Sequence, residues 1–77
     1  MNRERRKRIM QISEKLSDIR TSLETILEEE EIAFDNMPES LQESERGEQM
    51  QEYIETIGEA ISCIEETESS LEEIYNV

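Results

Sequence analysis

Histidine and tryptophan are absent from the 77-residue chain, cysteine and proline occur once each, and aromatic residues make up 4% of it. Each absence closes off some chemistry. Without histidine, a structural or catalytic zinc site loses its commonest partner for a lone cysteine, and the Glu-x-x-His pairs of di-iron carboxylate bundles cannot be assembled. One cysteine forms no internal disulfide, and Cys63, on the outer half of the second helical segment with no histidine to pair it, reads as an incidental thiol. No D-x-D-x-D-G loop marks a calcium site, and the run Glu28–Glu31 reads as a solvated helix end. The composition therefore implies no metal, no cofactor and no enzyme. No apolar run approaches the roughly 20 residues of a membrane span. The basic N-terminus is followed by no apolar h-region, so a reduced, unexported, cytoplasmic setting is the default expectation.

Hydrophobic residues are also scarce, at 34%. A chain this short gains so little from burial that ordering entropy nearly cancels it, and such scaffolds need a staple. With disulfide and metal excluded, self-association or docking on a partner is the staple that remains. High net charge (−13) and low mean hydropathy (−0.81) would suit a disordered chain. The spacing of the apolar residues argues for helix instead.

That spacing is heptad-like in two runs. Ile9, Ile12, Leu16, Ile19, Leu23 and Ile26 alternate steps of three and four, continued by Glu30, Ala33 and Met37. The rhythm resumes with Met50, Ile54, Ile57, Ile61, Ile64, Glu68, Leu71 and Tyr75. Between them, "FDNMPESLQES" carries a helix-start proline, Pro38, and several cap residues; Ser44 is read as the cap of the second long helix, with a start at Pro38 as the alternative. The expected fold is all-α: an antiparallel, coiled-coil-like two-helix hairpin in one domain. Helix one covers about residues 3–34, the connector 35–44 and helix two about 45–75. With the reversal centred near residue 40, Ile19 would face the neighbourhood of Ile61, and Leu23 that of Ile57.

Apolar residues also flank the two seams: Leu27 and Phe34 on helix one, Tyr53, Ala60 and Ile74 on helix two. A widened stripe of this kind is typically buried by pairing two hairpins into a four-helix bundle, here a homodimer. A groove for a partner helix is the competing use.

The charge is unevenly divided. The first eight residues hold five cations and one acid, a formal +4; the remainder holds three cations against twenty acids, or −17. Antiparallel packing would bring Arg3–Arg8 alongside Glu65–Glu73, where interhelix ion pairs can form. A nucleic-acid-binding arm is the sharper alternative, but the −17 remainder repels phosphates, so direct nucleic-acid binding is not expected. On helix two, Glu45, Glu52, Glu59, Glu66 and Glu73 fall seven apart opposite the seam, and Glu48 and Glu55 fill the adjacent column. An outward helix face is polar in any case. Such faces usually interleave lysine, however, because like-charged i,i+4 pairs cost about 0.2–0.5 kcal/mol each. Helix two has Arg46 and no other cation. The ridge is thus a candidate surface for a basic partner, spaced like a nucleic-acid backbone.

Residues 33–66 resemble a group of small acidic helical proteins of unknown function from Gram-positive bacteria, their phages and mobile elements. The resemblance rests on Asn36, Pro38, Glu39, Ser40, Leu41, Gln42, Ser44, Glu45, Arg46, Gly47 and Glu48 in "NMPESLQESERGE". It implies a genomic setting and carries over no functional residue. The expected function is a non-enzymatic acidic inhibitor or regulator that presents the glutamate ridge to a basic site on a nucleic-acid-acting protein. A structural or adaptor coiled-coil module, binding through the apolar flank, is the alternative.

Overall fold

A computed structural model of the chain describes residues 1–76. Three helices follow in order: α1 (Arg3–Asp35), α2 (Glu39–Gln42) and α3 (Glu45–Tyr75), with no strand among the described residues. α1 and α3 pack along their length as a helical hairpin, and α2 docks on α3. The particle is a rod whose Cα atoms span 58 × 14 × 14 Å.

Both long helices start on a side-chain cap. Asn2 Oδ1 accepts from the Arg5 N–H at 2.8 Å, and Ser44 Oγ accepts from the Gly47 N–H at 3.4 Å, each satisfying one of the orphan donors of a first turn. Glu45 and Glu48 in the first turn of α3 suit the positive end of the helix dipole. Pro38 precedes the one-turn helix α2, whose Leu41 and Gln42 N–H groups both donate to the Pro38 carbonyl. The Gln42 amide then donates to the Phe34 carbonyl at 2.9 Å, pinning the connector to the end of α1.

The register differs from the sequence expectation. Ser13 pairs with Tyr75 through their hydroxyls at 3.2 Å, and Arg20 Nε donates to Glu68 Oε1 at 2.7 Å. Those two contacts slide Ile19 and Leu23 away from Ile61 and Ile57 toward the C-terminal part of α3, around residues 65–69. The physical reason lies in the connector. α2 and the turns around it pack against the first turns of α3, so these run past the end of α1 before the two long helices meet.

α1 is also rotated relative to expectation. Its apolar stripe is three heptad columns wide, and a two-helix seam takes two. The structure turns toward α3 the shared column (Ile9, Leu16, Leu23, Glu30, Met37), half-buried, together with buried Ser13 and half-buried Arg20, Leu27 and Phe34. Ile12, Ile19 and Ile26 stay outside the seam, 50%, 51% and 48% exposed. α3 explains the choice. Its seam carries Glu68 and Tyr75, and polar groups taken out of water need partners. Turning α1 by one column supplies Arg20 to the first and Ser13 to the second, and no buried side-chain polar atom among the described residues is left without a partner. On α3 the expected seam is the observed one, with Ile61 the deepest apolar side chain at 7% exposure.

The slide has a consequence at the open end. Tyr75 ends α3: its hydroxyl meets Ser13, and it also lines a shallow pocket with Arg3, Arg6, Lys7 and Met10, so the basic turns of α1 lie around and beyond the end of α3. Arg3, Arg5, Arg6, Lys7 and Arg8 are all exposed, and none forms an ion pair with Glu65–Glu73 or any other described residue. The expected interhelix pairing of the basic cluster is therefore corrected: among the described residues it makes no ion pair with these glutamates.

Arg20 makes the described ion pairs, to Glu68 across the seam and to Glu24 one turn on at 2.8 Å. These partners, Glu68 foremost, hold its guanidinium above the ordinary arginine range. Glu68→Ala is expected to lower the urea midpoint, because Arg20 keeps its half-buried place without its main partner. Glu24→Ala, at an exposed i,i+4 contact, should leave the midpoint nearly unchanged. Equal effects would mean that the cross-seam pair does not hold the register.

Candidate interaction surfaces

The two sides of the hairpin differ in kind. In an antiparallel pair, columns reached by the same rotation away from the two seams lie on the same side. Glu31 and Phe34 of α1 accordingly share a shallow groove with Gln51, Ile54 and Glu55 of α3. The Ser13–Tyr75 and Arg20–Glu68 pairs close this same side. It is the polar side.

The opposite side carries the columns turned the other way: Ile12, Ile19 and Ile26 on α1, and Tyr53, Ala60, Thr67 and Ile74 on α3. Between them run Leu16 and Leu23, and Ile57 and Ile64, each half-buried because only one flank is covered. Tyr53 is 54% exposed. The rim of this face on α3 is Gln49, Thr56, Cys63 and Ser70, so none of the helix's many glutamates borders it. On α1 the corresponding rim reads Arg8, Lys15, Ser22 and Glu29, basic at one end and acidic at the other. Isolated exposed apolar residues are ordinary, but a continuous stripe running along a rod marks a contact surface.

Of the five apolar residues singled out beside the seams, the structure does not make one face. Tyr53, Ala60 and Ile74 lie on the open side, Ile74 half-buried; Leu27 and Phe34 lie in the seam itself, toward the polar side. Ile12, Ile19 and Ile26, which take their place, had the right periodicity to be read as core. The signal was the width of the α1 stripe, since three apolar columns exceed what one partner helix covers.

The glutamate ridge lies away from both. Glu45, Glu48, Glu52, Glu55, Glu59, Glu66 and Glu73 are all exposed, and none is in an ion pair with a described residue. Arg46, at the start of α3, is exposed and likewise unpaired among the described residues. From Glu45 to Glu59 successive ridge carboxylates are carried on Cβ atoms about 5–6 Å apart, and Glu66 and Glu73 follow at one-heptad intervals. No group of three or more His, Cys, Asp or Glu among the described residues is placed to hold a metal ion, and no helix among them is long and apolar enough to cross a membrane. Cys63 is exposed and free.

No protein-family model matches the chain, and neither a curated protein nor a solved structure matches it.

Proposed function

We propose that this chain is a non-enzymatic, cytoplasmic interaction protein: a helical hairpin that pairs with a second copy into a four-helix bundle. Its α3 glutamate ridge is then presented to a basic site on a nucleic-acid-acting protein. The observation that carries the reading is the unneutralised ridge. Seven ridge glutamates of α3 are exposed and without cationic partners among the described residues, and five of them, Glu45, Glu48, Glu52, Glu55 and Glu59, form a continuous strip at a spacing where each like-charged pair costs about 0.2–0.5 kcal/mol. A solvated face has no need of that cost. A surface that steers a basic groove toward it does, because dense single-sign charge accelerates encounter and excludes wrong partners. The resemblance of "NMPESLQESERGE" to small acidic proteins of phages and mobile elements supports an inhibitor or regulator of this type.

The test is capture of partners from bacterial lysate on the immobilised protein and on a Glu48→Lys/Glu52→Lys/Glu55→Lys variant. Proteins that bind the wild type, elute with salt or with added duplex DNA, and fail to bind the variant are the expected result. Partners retained equally by the variant, or indifferent to salt, would overturn it. An adaptor role through the apolar side is the second reading, favoured by exposed Ile12, Ile19 and Ile26. It predicts salt-independent capture abolished by substitutions on that side.

A further inference from the structure

The geometry points to one occupant for the open apolar side: a second copy of this chain, packed face to face in the antiparallel sense, with Ile19 of each α1 beside the two-fold axis. The inference rests on the self-pairing part of the proposed function and adds its face, its orientation and its register.

Hairpin burial alone leaves the protein short of a core. Among the described residues Ile61 is the one buried apolar side chain, and no side chain is fully buried. The open side spans a rod 58 Å long and 14 Å across at the level of its Cα atoms, on the scale of the roughly 800 Å² that each partner of a specific interface covers. Size permits a dimer through this face.

Charge then chooses between the two symmetric ways of stacking such faces. If the open ends coincide, the two basic projections, residues 3–8, sit side by side. Each then lies at the C-terminal end of the other copy's α3, whose rim on this side ends in Ser70 and offers no carboxylate. If the copies run in opposite directions, α1 packs along α1 of its partner. Ile12 then meets Ile26 across the axis, Ile19 meets its own equivalent, and Arg8 falls opposite Glu29. Each projecting basic turn lies over the acidic half of the other α1, which ends in Glu28, Glu29, Glu30, Glu31 and Asp35.

The helix termini favour the same arrangement. α1 has cations in its first turns and no base in its last, the wrong sign at both ends for its own dipole. Antiparallel contact between two such helices places each end against its complement. The uncharged α3 rim (Gln49, Thr56, Cys63, Ser70) is what a face must offer where acidic helices approach each other.

The experiment combines sedimentation equilibrium with a spin-label distance. The label is placed on Ser40→Cys in a Cys63→Ser background; Ser40 is exposed at the connector end. An antiparallel dimer centred on Ile19 sets the two labels about 60 Å apart, at 1.5 Å per residue; a parallel one sets them within about 30 Å. The expected result is a dimer with the long distance. Ile19→Glu should give a monomer with its helical circular dichroism retained, since the side chain lies outside the hairpin seam. Arg8→Glu should weaken the dimer about tenfold, as two symmetric contacts turn repulsive, and Arg8→Glu/Glu29→Arg on the same chain should restore it. A dimer with the short distance, or one that the charge swap fails to rescue, overturns the orientation while leaving self-pairing intact. A monomer at every concentration overturns both. A dimer that survives Ile19→Glu places the interface elsewhere.

Discussion

Ile61→Ala is expected to remove about 2–4 kcal/mol of folding stability, most of what a helical hairpin of this size holds. Ile61 is the deepest apolar side chain described, 7% exposed, and it sits on α3 level with Leu27 near the middle of the seam. Truncation removes the transfer free energy of three carbons and leaves a gap that two rigid helices cannot close from either side. Ile57 and Ile64, one turn away on each side, are only half-buried. Their truncation should cost visibly less in the hairpin itself, with a further loss appearing only as protein concentration rises and the wild type pairs, because their open flank lies on the face of the proposed second copy. Urea titrations followed by circular dichroism at two protein concentrations separate these cases. An Ile61→Ala midpoint close to the wild type would mean that the seam is not the core. A larger loss for Ile57→Ala would move the core toward the open side.

The same contrast between one clean stripe and one broad stripe explains what the sequence disclosed. On α3 the apolar period picks out Met50, Ile54, Ile57, Ile61, Ile64 and Leu71, and those are the seam residues of the structure. Little competed with them: the next column toward the polar side holds Gln51, Gly58, Glu65 and Glu72, and the one on the other side, Tyr53, Ala60, Thr67 and Ile74, is broken by a threonine. On α1 the period was equally strong but ambiguous. Ile12, Ile19 and Ile26 are better seam residues by hydrophobicity than Ser13 and Arg20, which look like solvent positions. What tipped the helix over are partners 62 and 48 residues away, Tyr75 and Glu68, and no local pattern carries that distance. The glutamate ridge was legible because exposure follows from facing away from the seam. The fate of the basic cluster was not. Whether Arg3–Arg8 meet Glu65–Glu73 depends on register, and register was set by how the short connector folds.

That connector is held by a glycine, and the two glycines of the chain should respond oppositely to alanine. In an exposed helix interior the exchange gains about 0.8–1 kcal/mol from lost backbone freedom in the unfolded chain. Gly58→Ala should show that gain nearly in full, because a Cβ there meets nothing within 4 Å, and it lies on the side away from the proposed dimer face. Gly47→Ala should instead destabilise by about 1–3 kcal/mol, the usual cost of overpacking. Gly47 is buried in the first turn of α3, and its φ is not positive, so space and not conformation is what excludes a side chain. A Cβ would come within 2.5 Å of the Gln42 carbonyl carbon and of the Leu41 carbonyl oxygen. Both are backbone atoms with little freedom to retreat. Leu41 and Gln42 are fixed by N–H bonds to Pro38, the Ser44 N–H donates to Leu41, and the Gln42 side chain is tied to Phe34. Relief therefore requires α2 to lift from α3, which frees the first turns of α3 and with them the register that sets Arg20 on Glu68. Urea midpoints of the two variants, measured side by side, decide the matter: a rise for Gly58→Ala with a fall for Gly47→Ala is expected. If Gly47→Ala stabilises the chain as Gly58→Ala does, the close approach of α2 to α3 does not set the hairpin's register.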